Sequence, residues 1–189
     1  MLELPTHKRI LIEAQDLVQR HGFFGLSLQD LADRIHIRKP SLYAHYDSKE
    51  KLGVALVQDY RKQFLAWTGE VAKLPQVEQF QAFLHVFEDY LASGKVCPHS
   101  ALSLDGPHLP PTIREASLEF YGAQVKWLSD LIESGKVTGA FSNSQESNLL
   151  AARILQQMVG AQLLARMTGT RVVFDQARIE LTQSLVRAQ

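Results

Sequence analysis

The stretch SLQDLADRIHIRKPSLYAHYDSKEKL, residues 27–52, admits few folded structures. Leu28, Leu31, Ala32 and Ile35 recur at helical spacing, Ile37 lies just past a turn, and Leu42 follows, so all of them close one small core when two short helices meet across that turn. Ser27 is a favourable N-cap, and Asp30 occupies the acidic position of a capping box. Pro40 stands where the first turn of a helix tolerates a missing N–H, and Asp47 or Ser48 caps a third helix. The spacing predicts a helix-turn-helix whose second helix shows Lys, Ser, Tyr and His outward, a set suited to a DNA groove.

Charge refines this expectation. Twenty basic and twenty acidic residues cancel over the whole chain, so any case for nucleic acid rests on their local distribution. Between Arg34 and Lys51 the five bases Arg34, Arg38, Lys39, Lys49 and Lys51 face two acids, Asp47 and Glu50, an excess of three. The competing reading is a solvated polar face, the usual fate of such residues. Two aromatics, Tyr43 and Tyr46, beside the bases on so short a helix weigh against it.

The rest of the chain is read as helix throughout. Ile10, Leu11, Ala14, Leu17 and Val18 give a packed helix from Thr6 to His21, ended by Gly22. A long helix runs from Ser48 to about Leu74, where Pro75 closes it, and another from Gln76 to Ser93, stopped by Gly94. A short helix around Ser100 to Leu104 lies between Pro98 and the Gly106, Pro107, Pro110, Pro111 cluster, with Asp105 to His108 read as a turn. Long helices follow from Thr112 to Ser134, ended by Gly135, from Glu146 to Met167, and from about Phe174 to Arg187. No strand-like alternation occurs, so an all-α fold of about nine helices is expected. Residues 1–50 form the helix-turn-helix part, and residues 51–189 form a regulatory and dimerisation part with its own core.

Several functional classes are disfavoured. One cysteine forbids an internal disulfide, no run reaches the ~18 apolar residues of a membrane helix, and the N-terminus lacks a signal-peptide pattern, so a cytoplasmic protein is expected. No nucleophile elbow, phosphate loop, cofactor fingerprint or paired catalytic carboxylates is present, and the histidines lack metal-ligand spacing. Neither an enzyme, a cofactor nor a metal is expected. A helical interaction protein without DNA binding is the remote alternative, and it leaves the Lys39 to Lys49 face without a purpose.

The run HGFFGLSLQDLADRI followed by SLYAHYDSKEKL resembles the DNA-binding domain of TetR-family transcriptional regulators, most closely in Leu42, Tyr43, His45, Tyr46, Ser48, Lys49, Glu50 and Leu52. His36 stands where that family usually has a turn glycine, and Arg38 with Pro40 replace a small N-cap and a glycine, which bears on base preference. The resemblance implies a homodimer that binds double-stranded operator DNA and usually represses until a small-molecule effector releases it. It also implies that Arg38, Lys39 and Ser41 point towards bases, while Tyr43, His45 and Lys49 meet the phosphate backbone. Ser27 is a further DNA candidate, although capping alone explains it.

Three expectations concern the second part. Trp67, Phe83, Phe87, Phe120 and Trp127 are core aromatics that also suit the lining of an apolar effector pocket. Cys97 is either a small buried apolar residue or a thiol sensor of electrophiles and oxidants, given Lys95 and His99 nearby and the cysteine that some TetR-family regulators carry at this place. Leu149, Ile154, Met158, Leu163, Ile179, Leu181, Leu185 and Val186, with small residues Ala151, Ala152, Gly160 and Ala161, suit a four-helix contact between two subunits.

Overall fold

A computed structural model describes residues 4–103 and 105–186, and among the described residues the chain is all-α. In order come α1 (Thr6–His21), α2 (Leu28–Arg34), α3 (Lys39–Tyr43), α4 (Lys49–Val71), α5 (Gln76–Ala92), α6 (Pro98–Ser103), α7 (Pro111–Thr138), α8 (Ser147–Thr168) and α9 (Val172–Leu185). A single 3-10 turn, Gly106–His108, separates α6 from α7. The expected helix ends at Leu104 and Arg187 lie outside the described residues. None of the helices is long and apolar enough to cross a membrane.

The described residues form two compact units. The first gathers those of Met1–Gln63 and Cys97–Phe120, and the second those of Phe64–Val96 and Tyr121–Gln189. In the first, Ile10, Ala14 and Val18 of α1, Leu31 and Ala32 of α2, Leu42 of α3, Leu52 and Leu56 of α4 and Ile113 of α7 are withdrawn from solvent. In the second, Phe80, Leu84, Leu128, Ile132, Ile154, Met158, Phe174 and Leu185 do the same, with α8 and α9 packed along each other. Ile154, Met158, Leu181 and Leu185 are therefore interior to the subunit, which corrects the expectation that they face a partner. An amphipathic pattern marks an apolar stripe without saying which neighbour covers it.

A second correction concerns Gly135, expected to end a helix. Instead α7 continues through it to Thr138 and stops before Gly139, whose φ of 78° is left-handed. Gly135 is there because Phe141 folds back onto it. A Cβ at this position would lie 2.0 Å from Phe141 Cδ2, and the Phe141 N–H donates to the Gly135 carbonyl at 3.0 Å. Gly69, within α4, has nothing within 4 Å of such a Cβ. Gly135→Ala should thus cost ~1–3 kcal/mol through overpacking, whereas Gly69→Ala should gain ~0.5–1 kcal/mol, both read from urea unfolding midpoints. Equal shifts in the same direction would contradict this account of Gly135.

Candidate nucleic-acid interface

The short helix α3 is built from its turn outward. The Ser27 hydroxyl accepts the Asp30 N–H at 3.2 Å and starts α2 at a defined residue. After Arg34 the chain reverses through His36, whose φ of 57° makes it the one non-glycine residue with positive φ among those described. Histidine bears this conformation at lower cost than a β-branched side chain. The turn is closed by the Ile37 N–H on the Ala32 carbonyl at 3.0 Å and by the Arg9 guanidinium of α1 on the Ile35 carbonyl. Arg38 then precedes α3, and Pro40 sits in its first turn, where no N–H is needed. Leu42 is fully buried and anchors α3 against α2.

What remains of α3 and its flanks faces outward. Arg38, Lys39, Ser41, Tyr43 and His45 are exposed and make no side-chain hydrogen bond or ion pair to the described residues. Their basic neighbours behave differently. Arg34 pairs with Asp16 at 3.0 Å and Glu13 at 3.5 Å, and these partners, Asp16 foremost, hold its guanidinium pKa above the usual range. Lys51 pairs with Asp47 and draws that carboxyl below its ordinary pKa. The local positive excess is thereby sorted: two bases are spent on protein partners, and Arg38 and Lys39 stay available to solvent or to phosphate.

Lys49 takes a third course. Ser48 caps α4 by accepting the Lys51 N–H at 3.0 Å, which leaves Lys49 at the first turn with its side chain half-buried. Its ammonium donates to the Phe24 carbonyl at 3.3 Å and lies 5.1 Å from the Phe23 ring centroid and 5.8 Å from that of Phe24. Burial lowers its pKa, opposed by the nearby Asp105 carboxylate. The structure thus turns the Lys49 ammonium onto the loop between α1 and α2. Tyr46 is partly buried and its phenol pKa is raised, chiefly by burial, as suits a packing role.

The effector candidates separate. In the second unit Phe64, Trp67, Phe83, Phe87 and Trp127 form one aromatic cluster, with Trp127 5.3 Å from Trp67, 5.7 Å from Phe83 and 5.8 Å from Phe64, and Phe83 5.4 Å from Phe87. Phe83 and Phe87 are buried, while Phe64, Trp67 and Trp127 keep partial exposure. Phe120 belongs to the first unit, where it stacks on His99 at 4.6 Å and on Tyr60 at 6.3 Å. An open groove of about 690 Å³ also runs along α5 and α9, lined by Leu84, His85, Glu88, Arg178 and Ile179 among others.

Cys97 is buried at the start of α6. Its sulfur lies 3.1 Å from the Ser100 hydroxyl and accepts the Ser100 N–H at 3.3 Å. Burial pushes the thiol pKa up in spite of these bonds. The burial, through inaccessibility and through the raised pKa, acts against a reactive thiolate in this conformation.

Asp105, in a stretch that the sequence marks only as a turn, is a further residue of the head. Its carboxylate accepts the Phe23 N–H at 2.6 Å and the Phe24 N–H at 3.2 Å, from 82 and 81 residues away. A lone acid in a Pro- and Gly-bounded loop carries no local sign of partners so distant in sequence.

With this geometry in view, the comparisons agree. Residues 10–56 match the model of bacterial regulatory proteins of the tetR family. The repressor DhaR of Mycobacterium sp. strain GP1, described as an HTH-type transcriptional repressor, is 24% identical over 93% of this chain and 90% of its own length. A TetR transcriptional regulator from Legionella pneumophila superposes with a TM-score of 0.89 at 27% identity, covering 98% of this chain and 100% of that one. A TetR-family regulator from Agrobacterium tumefaciens gives 0.88 at 25% identity over 96% and 97% of the two chains. Residues 10–56 thus form a helix-turn-helix head of the tetR type, the fold of the whole chain is that of the TetR-family regulators it superposes on, and the protein is a DNA-binding transcriptional regulator.

Proposed function

We propose that the protein represses transcription as a homodimer on operator DNA and that a small apolar molecule ends the repression. The observation that carries the DNA reading is the sorting of charge around α3: Arg38 and Lys39 stay exposed without partners among the described residues, while Arg34 and Lys51 are paired with acids beside them. In this reading Arg38, Lys39 and Ser41 face base edges, and Tyr43 and His45 position the helix on the phosphate backbone. Ser27 serves its helix first. Lys49 reaches phosphate only by leaving Phe24, so its share is smaller than that of Lys39. Lys39→Ala should cost ~1–3 kcal/mol on operator DNA and little on random DNA, whereas Tyr43→Phe should weaken both alike. Competition gel shifts at two salt concentrations read this, and equal losses for Lys39→Ala on both DNAs would remove the base-reading assignment.

Dimerisation is assigned to the apolar side chains that α8 and α9 leave in solvent: Leu149, Leu164, Met167, Val172 and Ile179. Gly160 lies on α8 with no atom within 4 Å of a built Cβ, which suits close approach of a second helix. Two-fold symmetry then sets two copies of α3 on successive major grooves, ~34–36 Å apart. Leu164→Glu or Ile179→Glu should convert the dimer to a folded monomer in light scattering at micromolar concentration. A wild-type monomer under the same conditions would refute the dimer.

The aromatic cluster of Trp67, Phe83, Phe87 and Trp127 is the proposed effector contact, with Phe120 next to it in the chain order of α7 but packed in the first unit. Two tryptophans 5.3 Å apart make their own reporter. Titration with apolar compounds should quench tryptophan fluorescence and release DNA in parallel. A thiol sensor at Cys97 is the second reading, and the buried sulfur with its raised pKa disfavours it. Native Cys97 should therefore react with a thiol reagent far more slowly than in the unfolded chain, and Cys97→Ser should keep its response to apolar ligand. A native rate matching the unfolded one, with peroxide release lost in Cys97→Ser, would favour the sensor instead.

A further inference from the structure

We infer that Asp105 is a positioning residue of the DNA-reading head, fixing the α1–α2 loop from outside the contiguous helix-turn-helix. The inference rests on the DNA-binding reading above and adds a residue that no motif of the head contains. Asp105 is itself well held. Its N–H donates to the Leu102 carbonyl at 3.1 Å at the end of α6, and its carbonyl accepts the N–H groups of His108 at 2.9 Å and Leu109 at 3.0 Å. The side chain is thereby aimed at the two free amides of Phe23 and Phe24, which no helix satisfies.

The approach is close on purpose. Gly22, with φ 77°, turns the chain so that both amides face one carboxylate, and a Cβ on Gly22 would lie 2.9 Å from Asp105 Oδ2. Phe23 is buried, and its ring also fills the space left by Gly53 of α4, where a Cβ would meet Phe23 Cε2 at 2.7 Å and Ile113 Cδ1 at 2.4 Å. From Phe23 the constraint passes along the chain. The Phe23 carbonyl accepts the Leu26 N–H at 3.2 Å, Leu26 is buried, and Ser27 caps α2, which carries the turn and α3.

Lys49 completes the clamp from the other side. Its ammonium holds the Phe24 carbonyl, and Asp105 favours that ammonium electrostatically. A carboxylate taking two amides and facing a cation forms charge-assisted bonds, stronger than neutral ones. The chain arrives at Asp105 by way of α6 and leaves along α7, so a movement that withdraws the Asp105 carboxylate would free the loop that precedes α2 and α3.

The test compares Asp105→Leu and Asp105→Asn with wild type, using the full chain, a selected operator duplex and amide hydrogen exchange at a temperature where each variant is folded. Asp105→Leu should bind operator about tenfold more weakly, which corresponds to about 1.4 kcal/mol, and should lose exchange protection at Phe23 and Phe24 while the amides of α8 keep theirs. Asp105→Asn, which retains an acceptor oxygen, should restore most of the affinity and the protection. A folded Asp105→Leu with wild-type operator affinity overturns the proposal, and so does unchanged protection at Phe23 and Phe24. If Asp105→Leu does not fold, Asp105→Ala takes its place, and a folded Asp105→Ala with wild-type operator affinity or unchanged protection at Phe23 and Phe24 overturns it as well. Absence of operator binding by the wild-type protein would instead sink the DNA-binding reading, and the exchange result would still decide the clamp.

Discussion

The burial of Leu42 is the contact on which the candidate DNA-reading surface depends. A helix of five residues has no stability of its own in water, since isolated helices shorter than ~12–15 residues are already marginal. α3 exists because one leucine, worth ~1.5–3 kcal/mol when fully buried, pins it against α2. Pro40 lowers the cost of starting the helix, and His36 accepts the backbone conformation that reverses the chain. With Leu42 turned inward and Pro40 at the helix start, Lys39, Ser41 and Tyr43 are released from structural duty.

That release explains why a chain with no net charge can still bind nucleic acid. The acids of α1, Glu13 and Asp16, absorb Arg34, and Asp47 absorbs Lys51, so positive potential is concentrated on Arg38 and Lys39. Lys49 is held in reserve on the Phe24 carbonyl and the two phenylalanine rings. Charge near the candidate site is thus divided between cations that keep the head in shape and cations left exposed on the face proposed to meet DNA.

Much of this was legible from residues alone because the signals are local. Ser27, Pro40, Leu42 and the spacing from Leu28 to Leu52 define the turn and both short helices, and Leu42 to Leu52 carry the strongest resemblance to TetR-family regulators. What was not legible depends on partners remote in sequence. Gly135 looked like a helix stop because a glycine at a helix end and a glycine under an aromatic ring read alike until Phe141 is placed on it. Ile154 and Met158 looked like dimer contacts because a stripe of apolar residues does not say whether its cover is the same chain or another. Phe120 was grouped with Trp127 by composition, whereas its stacking partners are Tyr60 and His99. Asp105 gave no sign at all, since its ligands are two backbone amides more than eighty residues earlier.

The central claim is that α3, presented in duplicate by a two-fold dimer, reads the major groove. Methylation interference on an operator selected from genomic fragments addresses it directly, because a methyl group on guanine N7 obstructs only the major groove. The account predicts interference at two clusters of guanines on one face of the duplex, centred ~10–10.5 base pairs apart and related by a two-fold axis. Interference at a single cluster, at clusters on opposite faces, or at none while the protein still binds the fragment would contradict it.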